Sequence, residues 1–337
     1  MKRRKRLTVR DATENGSKQT LFDFDFQQAY DYFISAKKSE GLREKTLISY
    51  DEHFRFFTNW LNEFHPEITK VNDITPAIIR EYVNYMREDH FNFKTKQTGL
   101  SVQTINARLR FLKTLYSFLF KEEIANTNPA AQVKFLKVDE SPFEPLTEEE
   151  MKRLFGVLDI RHYSQFRDYV LMHLLYDSAM RINEAVNLTV DDLDLKSKRI
   201  ILPAHKNKTR KQRIIPLSNY TVKLLIELIN ENQAHFESKY IFLNWYGEPL
   251  AEDTFRRNLK RYVKKAGITK QFSCHDFRRQ AITEMLAAGA SLFAVQAIVG
   301  HSQISTTKRY VKFDEQIIRN QHELYSPVVK LRKKYRR

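Results

Sequence analysis

Apolar residues in the first third of the chain recur at helical spacing. Phe26, Tyr30 and Phe33 keep an i, i+4, i+7 step, and Leu47, Tyr50, Phe54, Phe57, Trp60 and Leu61 continue it through a second segment. Pro66 interrupts the pattern. Thr75-Pro76 reopens it with the proline in a first turn, where a missing N–H costs nothing, and Ile78, Ile79, Tyr82, Val83 and Met86 form the stripe. Ser101 stands where a cap belongs for a fourth helix lined by Ile105, Leu109, Leu112, Leu115, Phe118 and Leu119. The pattern predicts a four-helix bundle over residues 24–128, its helices joined by short loops.

Residues 129–146 carry Pro142 and Pro145 with few apolar anchors and read as a linker. Thr147 with Glu150 is a capping-box start, and helices are expected over about 148–158 and 164–178. Two β-like runs follow, Arg199–Leu202 and Gln212–Leu217, enclosing the cation-rich turn Lys206–Lys211. Helical runs near 219–232 and 252–266 lead to the stretch from His275 to Tyr310. There Gly289 and Gly300 each close an apolar run, and Ser305 restarts a short helix expected to carry Tyr310. The fold class is therefore mainly α with a small β-sheet or hairpin, a helical bundle followed by an α+β domain over 147–325. A basic flexible arm (1–23) precedes them and a basic tail (326–337) follows.

Composition narrows the class of partner. Of 337 residues 42% are hydrophobic, which suits globular domains, and Lys plus Arg exceed Asp plus Glu by 16. That excess points to a polyanion, nucleic acid above all, and the resemblance given below makes it double-stranded DNA. Lys94, Lys96, Arg108, Arg110 and Lys113 are bundle cations that could follow a DNA backbone, or simply form a solvated face. The basic arm has the same two readings, a phosphate contact or a solubilising tail. One cysteine, Cys274, precludes an internal disulfide and, standing without Cys-x-x-Cys or His-x-x-x-His company, argues against a metal. No apolar run approaches a membrane span, and Met1 leads directly into Lys2-Arg3-Arg4-Lys5-Arg6 without a signal-peptide core. A cytoplasmic, nucleoid-associated protein without membrane contact is expected.

The candidate chemistry lies in the second domain. His275 and Arg278 are three apart and share a helix face; His301 follows Gly300, and Tyr310 comes nine residues later. Together they supply a phenol to attack a phosphodiester and groups to hold the charge that develops. The pattern His-x-x-Arg, Gly-His-Ser, Tyr resembles the second box of the tyrosine recombinases, the phage-integrase family of site-specific DNA recombinases. Asp177-Ser178-Ala179-Met180-Arg181-Ile182-Asn183-Glu184 resembles the first box, with Ser178-Ala179 where members usually show Thr-Gly. Ala takes positive φ less readily than Gly, so the departure bears on the turn rather than on the chemistry.

The resemblance implies a two-domain DNA clamp and a core-binding role for the bundle. It also implies cleavage and rejoining of strands through a 3′-phosphotyrosyl intermediate, in integration, excision, transposition or dimer resolution. Tyr310 would be the nucleophile, and Arg181 and Arg278 planar forks for two phosphate oxygens. His275 and His301 would supply hydrogen bonds and proton transfer. A hairpin lysine would protonate the leaving 5′-oxygen; the family spacing back from Pro216-Leu217 selects Lys208, with Lys206 as the alternative. Glu184 would orient a neighbour, a histidine by preference. No cofactor or metal is called for, because fixed cations do that work. The apolar tail residues Phe313, Ile317, Ile318, Leu324 and Tyr325 are expected to dock on a neighbouring subunit in a homotetramer on two DNA sites, the alternative being that they fold back on their own catalytic domain, with accessory DNA-bending proteins as further partners. A non-cutting architectural DNA binder and a relaxing topoisomerase of type IB chemistry are the competing classes.

Overall fold

Helix caps and stripes set out in the sequence account for most of the architecture. The computed structural model describes residues 23–92, 96–138, 143–207, 211–310, 319 and 322–328. Residues 1–141 and 142–337 form two compact units. Among the described residues no helix is long and apolar enough to cross a membrane.

The first unit contains α1 (Phe26–Ser39), α2 (Glu44–Phe64), α3 (Pro76–Asn84), the strands β1 (Phe91–Asn92) and β2 (Gln97–Thr98), and α4 (Val102–Lys121). Asp25 caps α1, accepting from the Gln28 N–H at 2.8 Å while Gln28 Oε1 accepts from the Asp25 N–H at 3.1 Å. Thr75 and Ser101 cap α3 and α4 through the N–H groups of Ile78 and Thr104. The core is aromatic: Tyr30 stacks on Phe54 with centroids 3.9 Å apart, and Phe33, Phe57, Trp60 and Phe111 are buried around them.

Two features of this unit depart from the sequence expectation. The short hairpin β1–β2, Phe91 opposite Thr98, stands between α3 and α4. Gly99 (φ +84°) closes it, and a Cβ there would run into the Arg87 carbonyl. The bundle cations are also less free than expected. Lys113 Nζ donates to the Ala130 carbonyl at 2.6 Å, and the Arg108 guanidinium lies 3.5 Å from the Phe56 ring centroid. Lys96 and Arg110 are exposed, while Lys94 lies outside the described residues. The segment read as linker begins inside this core. Ala130 and Val133 are buried, and Asn106 holds Leu136 through both its backbone groups at 2.9 Å.

The second unit runs α5 (Glu148–Gly156), α6 (Tyr163–Ser178), α7 (Ile182–Val186), β3 (Leu193–Asp194), β4 (Arg199–Leu202), β5 (Arg213–Pro216), α8 (Asn219–His235), α9 (Glu252–Lys265), α10 (Cys274–Ala287), α11 (Leu292–Val299) and α12 (Ile304–Lys308). The Thr147–Glu150 capping box opens α5 at 2.8 and 3.2 Å. The expected hairpin is β4–β5, pairing Ile200 with Ile215, and β3 adds a third antiparallel strand. Ile200, Leu202 and Ile215 point into a core built around α6.

A buried polar network fixes α9 against α6. Arg167 binds Asp168 at 2.7 Å and the Leu243 carbonyl at 2.8 Å. Asn258 and Tyr262 complete Asp168 at 2.8 and 2.9 Å. With Arg167 and Asp168 both buried, removing one partner would cost about 3–5 kcal/mol. The segment before α5 is stitched to α10, because the Gln280 side chain pairs with both backbone groups of Leu146 at 2.8 and 2.9 Å.

The basic arm up to residue 22, Lys208, and the tail positions Phe313, Ile317 and Ile318 lie outside the described residues, as does the chain after 328. Leu324 and Tyr325 are helical and exposed.

Candidate active site

Three separated segments of the second unit meet in one cluster. The first turns sharply after α6: Ala179 takes φ 51°, ψ 27°, so the left-handed turn forms with alanine in place of glycine, at a cost of about 1–2 kcal/mol. Arg181 follows as the N-cap of α7, its Nη1 2.8 Å from Glu184 Oε1. Glu184 is 3% exposed and also accepts from Arg213 Nη2 at 2.8 Å. It thus orients two arginines, not the histidine expected from the sequence. A carboxylate buried between two guanidinium groups serves both as a strut.

The second segment is α10, which starts with Asp276 accepting from the Ser273 N–H and hydroxyl at 2.9 and 2.7 Å. His275 stands in its first turn, solvent-exposed at one edge. Arg278, one turn further, is 2% exposed. Its Nη1 donates to the Ala179 carbonyl at 2.7 Å and its Nη2 to the Val299 carbonyl at 2.8 Å. One side chain therefore ties α10 to the α6–α7 turn and to the end of α11.

The third segment begins at that end. Gly300 takes φ +68°, and a Cβ there would collide with Arg213 Nη1 at 2.6 Å. Arg213 also donates to the Val299 carbonyl, at 2.9 Å. His301 follows, its Nδ1 2.8 Å from Thr307 Oγ1 and its carbonyl accepting from Gln296 Nε2 at 3.0 Å. Tyr310 lies in a turn two residues past α12 rather than on it, with its N–H bonded to the Thr307 carbonyl at 3.1 Å. It is half-buried against Ala179, Ala281, Ile282, Val295 and Val299, near enough to Arg278 for its phenol to act on that charge.

The structure thus brings together Arg181, Glu184, His275, Arg278, His301 and Tyr310. Lys208 falls outside the described residues; Lys206 is held by Asp192 Oδ2 at 2.5 Å and Thr189 Oγ1 at 3.1 Å, a partly buried tether. Arg213 and Thr307 were not singled out in the sequence. Arg213 sits where a strand turns a cation inward, a signal present only as its parity with the buried Ile215.

The cluster is strongly cationic, and its ionisation shows it. Burial, then Arg181 and Arg213, push Arg278 down to about 9, still charged at neutral pH. Desolvation, followed by Arg278, lowers His275. Desolvation and then Arg278, Arg181, His275 and Arg213 bring His301 down to about 4. Burial alone would raise the Glu184 carboxyl, but Arg213 and Arg181 outweigh it and hold it below its usual range. Beside the cluster, a cleft of about 1150 Å³ runs along α9 from Arg181 and His275. Arg256, Lys260 and Lys264 are on its lining, with apolar Leu259 and Phe272. Cys274 also borders it, 4% exposed, its thiol pushed up to about 12 by burial.

Comparison with known proteins bears on the family and the fold. Residues 144–316 match the model of the phage integrase family, and residues 25–138 match the phage integrase SAM-like domain. The tyrosine recombinase XerC of Bacillus pumilus (strain SAFR-032) is 30% identical over 254 residues, 73% of this chain and 82% of that protein. Among solved structures, the Tn1549 transposon integrase in complex with a circular intermediate DNA superposes with a TM-score of 0.70 at 20% identity. It covers 90% of this chain and 99% of its own. A lambda integrase tetramer bound to a Holliday junction gives 0.66 at 17% identity, covering 87% and 79%. At those identities the two structures share the fold.

The depressed histidines make stability depend on pH. His173, stacked 4.1 Å from Phe155, is lowered by burial to about 4, as His301 is. Between their ordinary value of 6.5 and about 4 the unfolded chain holds protons that the folded chain does not. Folding is therefore favoured above that window and weakened as pH falls through it. The melting temperature of the DNA-free protein should drop on going from about pH 7 to about pH 5, a range set by these histidines; an unchanged value would contradict the assignment.

Proposed function

The chain belongs to the phage integrase family of tyrosine-type site-specific recombinases, enzymes that break and rejoin DNA, and we propose that Tyr310 is its nucleophile. The observation that carries this reading is the convergence of Arg181, Arg278, His275, His301 and Tyr310 from three segments onto one cationic cluster around the buried Arg278. Tyr310 Oη attacks the scissile phosphorus, forming a 3′-phosphotyrosyl bond while the bond to the 5′-oxygen breaks. Arg181 and the outer N–H groups of Arg278 neutralise the non-bridging oxygens, which in the transition state carry more charge than in the ground state. His275, kept neutral by its surroundings, takes the phenol proton. Lys208 gives a proton to the leaving 5′-oxygen, and the tether of Lys206 to Asp192 supports choosing Lys208 over it. Rejoining runs the same steps backwards with a 5′-hydroxyl as nucleophile. Fixed cations carry the charge, so the reaction requires no metal ion.

Double-stranded DNA is the proposed partner, lying along the cation-lined cleft beside Arg181. A homotetramer on two sites is the proposed working form, supported by the lambda integrase tetramer among the structural neighbours. Exposed Leu324 and Tyr325 are the part of the tail that would dock on the next subunit. The cellular outcome would be integration, excision, transposition or dimer resolution.

A nicked suicide substrate, incubated in EDTA, should trap a covalent adduct with the wild-type protein and none with Tyr310→Phe. DNA affinity should stay within about threefold, because one hydroxyl is lost and no cation. An adduct in the variant would move the nucleophile elsewhere.

Lys208→Ala should slow cleavage about 10²- to 10⁴-fold, the usual worth of a general acid. A 5′-phosphorothiolate substrate should restore much of the rate, since a thiolate leaves without protonation. Rescue of Lys206→Ala in place of Lys208→Ala would reassign the acid.

Deleting the chain after Lys312 should leave binding to a single site intact and abolish exchange between paired sites. Normal recombination by the truncated protein would dismiss the tail contact.

A further inference from the structure

Thr307 lies between the two groups of the third segment. It is fully buried, with 0% of its surface exposed, and it bonds through two different atoms. Its carbonyl accepts the Tyr310 N–H at 3.1 Å, and its hydroxyl sits 2.8 Å from His301 Nδ1. Among the described residues nothing bonds His301 Nε2. Nε2 is therefore the nitrogen left for a substrate.

The chemistry then narrows the role of the hydroxyl. His301 is surrounded by Arg181, Arg213, Arg278 and His275, a company that disfavours a further positive charge on its ring. A neutral imidazole donates from one nitrogen only, and the other must accept. Phosphate oxygens of a diester accept and never donate. A neutral ring that binds one must carry its hydrogen on Nε2, and its Nδ1 then needs a donor. Thr307 Oγ1 is the donor in reach.

We propose that Thr307 is a positioning residue that, by donating its hydroxyl hydrogen to Nδ1, holds His301 in the tautomer whose Nε2–H meets the scissile phosphate. The same residue sets the start of the turn that carries Tyr310, so the phosphate contact and the nucleophile share one anchor. This rests on the proposed cleavage reaction, in which His301 faces the phosphate.

Two substitutions separate the hydroxyl from the packing. Thr307→Val keeps the branched shape and loses the hydroxyl; Thr307→Ser keeps the hydroxyl and loses the methyl group. Under single-turnover cleavage of the suicide substrate, Thr307→Val should be about 10- to 100-fold slower, as for other groups that orient a functional histidine. DNA affinity should stay within about threefold, and Thr307→Ser should cleave within about threefold of wild type. In ¹⁵N-histidine spectra the His301 ring, assigned by its loss in His301→Asn, should carry its proton on Nε2 in the wild type and divide between both nitrogens in Thr307→Val. A wild-type rate in Thr307→Val, a Thr307→Ser as slow as Thr307→Val, or a wild-type ring protonated on Nδ1 would each overturn the proposal. If Thr307→Val does not fold, the serine variant and the wild-type spectrum still decide it. A wild-type protein that forms no adduct at all would instead defeat the cleavage reading, and the spectrum would still report the tautomer.

Discussion

Two guanidinium groups converge on one backbone carbonyl, that of Val299, and the rest of the catalytic unit is arranged so that they can. Arg213 and Arg278 reach it at 2.9 and 2.8 Å from different elements, a strand and a helix. Like charges held so close in a desolvated setting repel, and the chain offsets this with few groups. The carbonyl is the last of α11, at the negative end of that helix. Glu184 neutralises Arg213 and Arg181 together. Arg278 has carbonyls as partners instead of a carboxylate. Three arginines against one glutamate leave an excess of positive charge, and that excess is what an incoming phosphodiester would neutralise. The depressed histidines owe their shift first to desolvation and then to the same imbalance of charge.

Keeping such a cluster together takes rigid neighbours. Gly300 has no room for a side chain because Arg213 fills the space, and Ala179 accepts a left-handed conformation where its carbonyl must face Arg278. The sheet presents Arg213 inward beside Ile215, so the hairpin is as much a support for the arginine as a carrier of lysines. The segment entering the unit is fastened to α10 by Gln280, the helix that also holds His275 and Arg278.

The long helices were legible because their stripes and caps are written locally: Thr75, Ser101 and Thr147 cap where expected. The two boxes were legible for another reason, the fixed spacing of unlike functional groups. Less could be read where a residue's meaning depends on a distant partner. Strands of two residues, as in β1 and β2, show no alternation to detect. Glu184 was assigned a histidine, and it serves arginines, one of them 29 residues away in another element. Arg108 and Lys113 looked like surface cations, whereas a ring and a carbonyl absorb them. Thr307 gave no signal at all, since a threonine in a polar run resembles any other until its neighbour is known.

The lone cysteine has a practical corollary. Cys274 sits one residue before His275, yet its sulfur is screened from solvent and its thiol is held almost wholly protonated at neutral pH. Thiolate is the species that alkylating reagents and oxidants consume, so this position is chemically quiet. The native chain is thus already a blank background for maleimide chemistry. A cysteine introduced at an exposed site such as Lys96 or Tyr246 would accept a fluorophore or spin label selectively, with the sequence around His275 left untouched.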